Sequence, residues 1–142
     1  MRRGVTLVEL TVVVAIVAIV TAITLPRLVG VLDWIAVDAA AQEVTAALAV
    51  ARNSAVMQGT RARALVAPES LRVERWVGDS WGPLERWPGP AGHGVTLAVS
   101  NPAVVFDPIG LAWGISNTTI ELRRGGKVAT ITVSRVGRVK RR

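Results

Sequence analysis

The sequence predicts an α+β protein: a long N-terminal helix, membrane-spanning in its first half, packed on a small antiparallel β-rich globular domain. Three observations predict it. An apolar run opens the chain, an alanine-rich stripe at helical spacing follows, and short alternating segments broken by Gly and Pro fill the rest. At 142 residues the chain has the size of one domain.

Composition narrows the function before any motif is read. Hydrophobic residues make up 51% of the chain and the mean hydropathy is +0.43, so one segment must be unusually apolar. The absence of cysteine excludes disulfides, thiolate metal sites and a cysteine nucleophile. A single histidine, His93, leaves little for imidazole-based acid–base or metal chemistry. No Walker loop, GxSxG or HExxH motif occurs. The sequence therefore assigns no catalytic residue, cofactor or metal ligand, and it argues against an enzyme.

The first element is the apolar run from Val5 to Leu25, whose only charge is Glu9. As a helix it is roughly 31 Å long at about 1.5 Å per residue, close to one bilayer core. Its many β-branched residues are poor helix formers in water, but lipid leaves a helix as the only way to pair the backbone. Arg2 and Arg3 precede it, so the positive-inside bias keeps the N-terminus in the cytoplasm and sends the globular part across the membrane. An ordinary secretory signal peptide is the bland alternative. The length of the run, the carboxylate near its start and the lack of a small-residue cleavage site after it weigh against that.

The second element continues the helix to about Gln58. Trp34, Val37, Ala41, Val44, Leu48, Ala51 and Ala55 recur at three- and four-residue steps and form a core stripe, and Gly59 is a helix stop. From Thr60 onward, strands are expected at Thr60–Ala67, Leu71–Val77, Val95–Val99, Val104–Phe106, Thr118–Arg124 and Lys127–Ser134. Gly78–Pro83 and Trp87–Gly94 read as breaks, the latter an exposed loop that leaves His93 without a nearby carboxylate. Gly125-Gly126 signals a two-residue hairpin and Asp107-Pro108 a turn. Trp76, Trp81, Trp87 and Trp113 are expected to pack in the core or under loops rather than form a recognition surface.

The segment Arg2-Arg3-Gly4-Val5-Thr6-Leu7-Val8-Glu9-Leu10 with the apolar run behind it resembles the start of a type IV prepilin. In that family a peptidase cuts after the leader's Gly, the new N-terminus is methylated, and a Glu stands fifth in the mature chain. The resemblance implies cleavage after Gly4, methylation at Val5 (where the family usually has Phe), and an assembly role for Glu9 and for Pro26, which stands where many pilins have a helix-kinking proline. It divides the chain into a leader at 1–4, a transmembrane helix at 5–25, an amphipathic continuation at 26–58 and a β-rich domain with a basic C-terminal tail at 59–142. Glu9 can pair with the amine of Val5 on a neighbouring subunit, or its carboxylate can snorkel to the headgroups.

A narrower resemblance lies in Val104-Val105-Phe106-Asp107-Pro108-Ile109-Gly110, Thr119-Ile120-Glu121-Leu122 and the ending Ile131 to Val139, which are similar to GspH/FimT-like minor pilins and pseudopilins. It implies a minor pseudopilin of a type II secretion system, held in the inner membrane and then built into a filament with other pilins after prepilin peptidase has acted. The alternative is a FimT-like minor pilin that binds DNA for natural transformation. The net charge is +7, and Arg135, Arg138, Lys140, Arg141 and Arg142 crowd the last eight residues with no acid among them. Such a cluster can bind polyanions by counterion release, or stand as a solvated tail. In FimT-like DNA binders a Gly-Arg-x-Arg motif closes the chain; here it reads Gly137-Arg138-Val139-Lys140, with lysine in the last place.

Overall fold

The computed structural model describes residues 6–114 and 117–142. They divide into two compact units, one ending at Leu32 and the other comprising Asp33–Arg142. The leader and the Gly4–Val5 bond lie outside the described residues.

One helix, α1, spans Leu7–Gln58 and includes Pro26. It starts with a capping pair that the sequence reading missed. Thr6 Oγ1 accepts the backbone N–H of Glu9 at 3.2 Å, in the Thr-x-x-Glu spacing of a capping box. In the first unit the threonine hydroxyls of the helix turn inward. Thr21 and Thr24 donate to the carbonyls of Val17 and Val20 at 2.7 and 2.8 Å, so these polar groups ask nothing of the surroundings. Every large apolar side chain of α1 from Leu7 to Ile35 is exposed.

In the second unit the helix buries Ala36, Val37, Ala40, Ala41, Val44, Ala47, Leu48, Ala51 and Ala55. The stripe predicted from spacing is present except at its first member: Trp34 is 57% exposed. The helix stops where Gly59 takes φ 61°, a conformation glycine adopts without penalty.

Nine antiparallel strands are described, in two sheets. The first contains β1 (Ala62–Val66), β2 (Ser70–Val77), β3 (Ser80–Pro88), β5 (Ala103–Phe106) and β6 (Ala112–Trp113), in the order β3-β2-β1-β5-β6. The second contains β4 (Thr96–Val99), β7 (Thr118–Arg124), β8 (Lys127–Val133) and β9 (Val139–Arg141), in the order β4-β7-β8-β9. Strict alternation sends Ala62, Ala64 and Val66, with Leu71, Val73 and Phe106, from the first sheet into the core, and Ile120, Leu122, Ile131 and Val133 from the second. These side chains and the alanine stripe of α1 form one buried cluster. Alanines on the helix keep it close to the sheets, while Phe106 and Leu48, both fully buried, supply bulk. Each is worth about 1.5–3 kcal/mol of burial.

Three strands depart from the sequence reading, and all are edges. β3 runs through Gly82 and Pro83, which read as a break; a proline is tolerated on an edge, and a register shift between Val73 and Glu74 absorbs the irregularity. β6 has only two residues. β9 pairs with β8 at Val133–Val139, Thr132–Lys140 and Ile131–Arg141. Arg142 then exchanges both backbone hydrogen bonds with Thr130, at 2.9 and 3.0 Å. The backbone of the basic end is therefore paired into the sheet, while its Arg and Lys side chains stay exposed.

The segment read as an exposed loop is also built in. Pro90–His93 forms a single 3-10 turn with Pro90 buried. His93 Nε2 lies 3.0 Å from Glu43 Oε1 on α1, so a carboxylate stands beside the histidine after all. The Arg124 guanidinium donates to the His93 carbonyl and, through Nε, to Asp33 Oδ1 at 3.0 Å. Asp107 holds its turn by accepting the N–H groups of Ile109 and Leu111 at 3.0 and 2.8 Å.

Candidate functional site

The chemistry the sequence points to falls on two surfaces, one in each unit. In the first, Glu9 sits in the opening turn of α1, where the helix dipole favours a carboxylate. The cap at Thr6 engages the backbone N–H of Glu9 and not its carboxylate. Gly4 and Val5 fall outside the described residues. Pro26 has no N–H to offer the carbonyl of Ala22, which leaves one helix hydrogen bond unmade inside an otherwise continuous element.

In the second unit the strand period sorts the C-terminal cations. Arg138, Lys140 and Arg142 share a shallow groove of about 350 Å³ with Thr130, Thr132 and Ser134. Residues between them point the other way: Val139 packs against the core, and Arg141 pairs with Asp38 on α1. Arg135 is exposed, and its carbonyl accepts the N–H of Ala112 at 3.0 Å. Of the five cations singled out by sequence, the structure brings three into one row, ties one to the helix and leaves one apart. The hydrogen bond from Arg141 is the main reason the Asp38 carboxyl is held below the usual carboxylate range; partial loss of water opposes it, and a weaker hydrogen bond from Gln42 and the charge of Arg141 add to it.

Gly137 has a structural reason that the sequence alone does not disclose. It takes φ 71°, and a Cβ there would stand 2.0 Å from the carbonyl oxygen of Gly110. Arg52 Nε donates to that same oxygen at 3.1 Å. The glycine lets the turn before β9 close on the helix, and this sets the register that aligns Arg138 with Lys140. Arg52 and Asn53 of α1 then join Arg138 along a second groove, of about 480 Å³. Sequence reasoning missed Arg52 because it lies some eighty residues away in the chain.

The tryptophans also depart from expectation. Only Trp87 packs against the core. Trp76 and Trp81 meet edge to face at 5.1 Å, while Arg61 lies 3.7 Å over Trp113 and Arg63 lies 4.3 Å over Trp81. These guanidiniums stack on aromatic faces outside the buried cluster.

Comparison with known proteins bears on both surfaces. The family described as Type II transport protein GspH matches residues 40–137, and the prokaryotic N-terminal methylation motif matches residues 1–25. No curated relative matches the sequence. Among solved structures, the type IV minor pilin FimU of Pseudomonas aeruginosa superposes in two crystal forms. One has a TM-score of 0.63 at 21% identity, covering 74% of this chain and 91% of that one. The other has a TM-score of 0.64 at 21% identity, covering 73% and 86%. At that identity the likeness is one of fold. The methylation motif accounts for the apolar start and the GspH match for most of the globular unit: the chain belongs to the GspH family and opens with the prokaryotic N-terminal methylation motif.

Proposed function

We propose that the chain is a structural subunit of a type II secretion pseudopilus, a minor pseudopilin anchored by α1 in the inner membrane until assembly. The observation that carries the reading is the helix itself, whose large apolar side chains from Leu7 to Ile35 are all exposed, with Glu9 the one carboxylate before Asp33. Such a surface needs lipid before assembly and neighbouring helices after it. The description of the matching family, a type II transport protein, favours secretion over pilus assembly. In this reading prepilin peptidase cuts after Gly4, leaving Val5 as the N-terminus to be methylated. The N-terminus faces the cytoplasm and the globular unit lies outside it. Glu9 pairs with the Val5 amine of the next subunit and sets register, and Pro26 relaxes the helix on incorporation. Glu9→Ala is expected to leave membrane insertion intact and to abolish filament incorporation, measured by fractionation of sheared filaments. Normal incorporation, or an uncleaved Met1 in the assembled protein, would refute the reading.

A second reading, DNA binding by a FimT-like minor pilin, is favoured by one observation: Arg138, Lys140 and Arg142 project as a row into one groove. Three phosphate contacts give a slope of log affinity against log salt of about −2 to −3. Arg138→Ala should reduce that slope by about one, and Arg141→Ala, whose guanidinium is engaged by Asp38, should change it little. A salt titration with the detergent-solubilised chain checks this, and binding without salt dependence would end the DNA reading.

A further inference from the structure

The second unit begins at Asp33, and the rim around that point draws on three strands besides the helix. Arg124 of β7 ties to Asp33 Oδ1 at 3.0 Å. Gly125, in the turn that follows, comes so near that a Cβ there would stand 2.3 Å from Asp33 Oδ2. A little farther along α1, Asp38 holds Arg141 of β9. Beside the tie between Asp38 and Arg141 lies a notch of about 180 Å³ whose lining includes Trp34, Val37, Lys127, Val128 and Arg142, the last of which also lines the β9 groove.

The charge of the rim is unbalanced. Both acids are engaged, Asp33 by Arg124 and Asp38 by Arg141, whereas no ion pair engages Lys127 or Arg142 among the described residues. Beside these two cations stands an indole that is 57% exposed, with Ile35 and Val128 also exposed. Cations next to an exposed tryptophan suit the layer where a membrane meets water.

The exposed apolar run leads up to the rim along the chain. The unbroken exposure of large apolar side chains from Leu7 to Ile35 corresponds to about 43 Å at about 1.5 Å per helical residue, against about 40–45 Å for a bilayer with its headgroups. Arg27, the one cation inside that stretch, sits near its outer end, where a long side chain snorkels to the headgroups.

We propose that this rim docks on anionic phospholipid headgroups while the subunit waits in the membrane, Lys127 and Arg142 meeting lipid phosphate and Trp34 seated in the interfacial layer. The inference rests on the membrane-spanning reading of α1. The docked rim holds the globular unit against the bilayer surface, and removing a subunit into a filament requires that these contacts be released.

The chain has no cysteine, so a single introduced one takes a spin label without background. The full chain would be labelled in turn at Val128→Cys in the rim, at Val17→Cys in the apolar helix, and at Asp79→Cys in the β2–β3 turn. It would be reconstituted in nanodiscs of phosphatidylcholine alone or with phosphatidylglycerol, and collisions with an uncharged water-soluble nickel chelate measured. Phosphatidylglycerol should protect the Val128 label and leave the Asp79 label unchanged. Lys127→Glu should lower the docked-to-free ratio by about fivefold or more, since each basic residue near an anionic surface contributes about that factor. Equal accessibility of the Val128 label in both discs, with the Val17 label immersed, overturns the docking while sparing the span. A water-exposed Val17 label overturns both. Equal protection at Asp79 reduces the effect to general attraction of a basic protein and overturns the site. Protection at Val128 by duplex DNA but not by phosphatidylglycerol makes the rim a nucleic-acid surface and also overturns it.

Discussion

The two halves of α1 solve opposite problems with one backbone. From Leu7 to Ile35 its large side chains are Leu, Val and Ile, with Trp34 near the end, and all are exposed. From Ala36 to Ala55 the buried positions are mostly alanine. Bulk faces outward in the first stretch, and small residues face inward where two sheets must come close. Hydrophobicity alone does not separate the halves. Side-chain size does, because a packed interior penalises excess volume and a bilayer does not.

The sharpest way to break this contrast is to remove bulk from the interior. Phe106→Ala is expected to cost about 3–5 kcal/mol, because Phe106 is the largest fully buried side chain. Denaturant unfolding in detergent, followed by tryptophan fluorescence, should show the midpoint fall with the apolar helix still held in the micelle. The converse substitution acts on the other half. Val17→Lys puts a charge near the middle of the apolar run and should cost about 2.5–3.5 kcal/mol in insertion. A glycosylation-based insertion assay would report it, and the second unit should keep its stability.

Gly137→Ala tests the globular unit more finely. Its Cβ meets the Gly110 carbonyl oxygen at 2.0 Å and its backbone is left-handed, so a loss of roughly 1–3 kcal/mol is expected. Charge reversal in the rest of the β9 row should not produce it. The smallest effect is that of Asp38→Asn. Because Arg141 depresses the Asp38 carboxyl, the tie contributes stability at pH values above the ordinary carboxylate range and loses it as pH falls through the depressed value. The variant should lose a little stability at neutral pH and none at low pH, which flattens the acid side of the profile, as a pH series of thermal melts would reveal.

Much of the architecture was legible along the chain because it rests on local periodicity. Helical spacing marked the alanine stripe, Gly59 marked the helix end, and alternation marked β1, β2, β4, β5, β7 and β8. The three strands that escaped notice, β3, β6 and β9, are all sheet edges. Edge strands carry the features that disqualify a strand by sequence, here Pro83, a two-residue length and a run of Arg and Lys. Only one side of an edge must pair, and charge there guards against further pairing. The candidate surfaces were legible in part. Residue types and spacing disclosed Glu9 and the C-terminal cations, but the sorting of those cations depends on the pairing of β9 with β8.

The sequence by itself therefore determined what is covalent or periodic: the apolar run with its lone carboxylate, the helix behind it and the basic ending. Tertiary structure alone decided which charges remain available. It paired Arg141 with Asp38 and Arg124 with Asp33, seated His93 against Glu43, and turned Trp34 outward. Each of these contacts joins α1 to residues far along the chain. No local spacing encodes such a pair, because its geometry exists only after the helix and both sheets have packed on a common core.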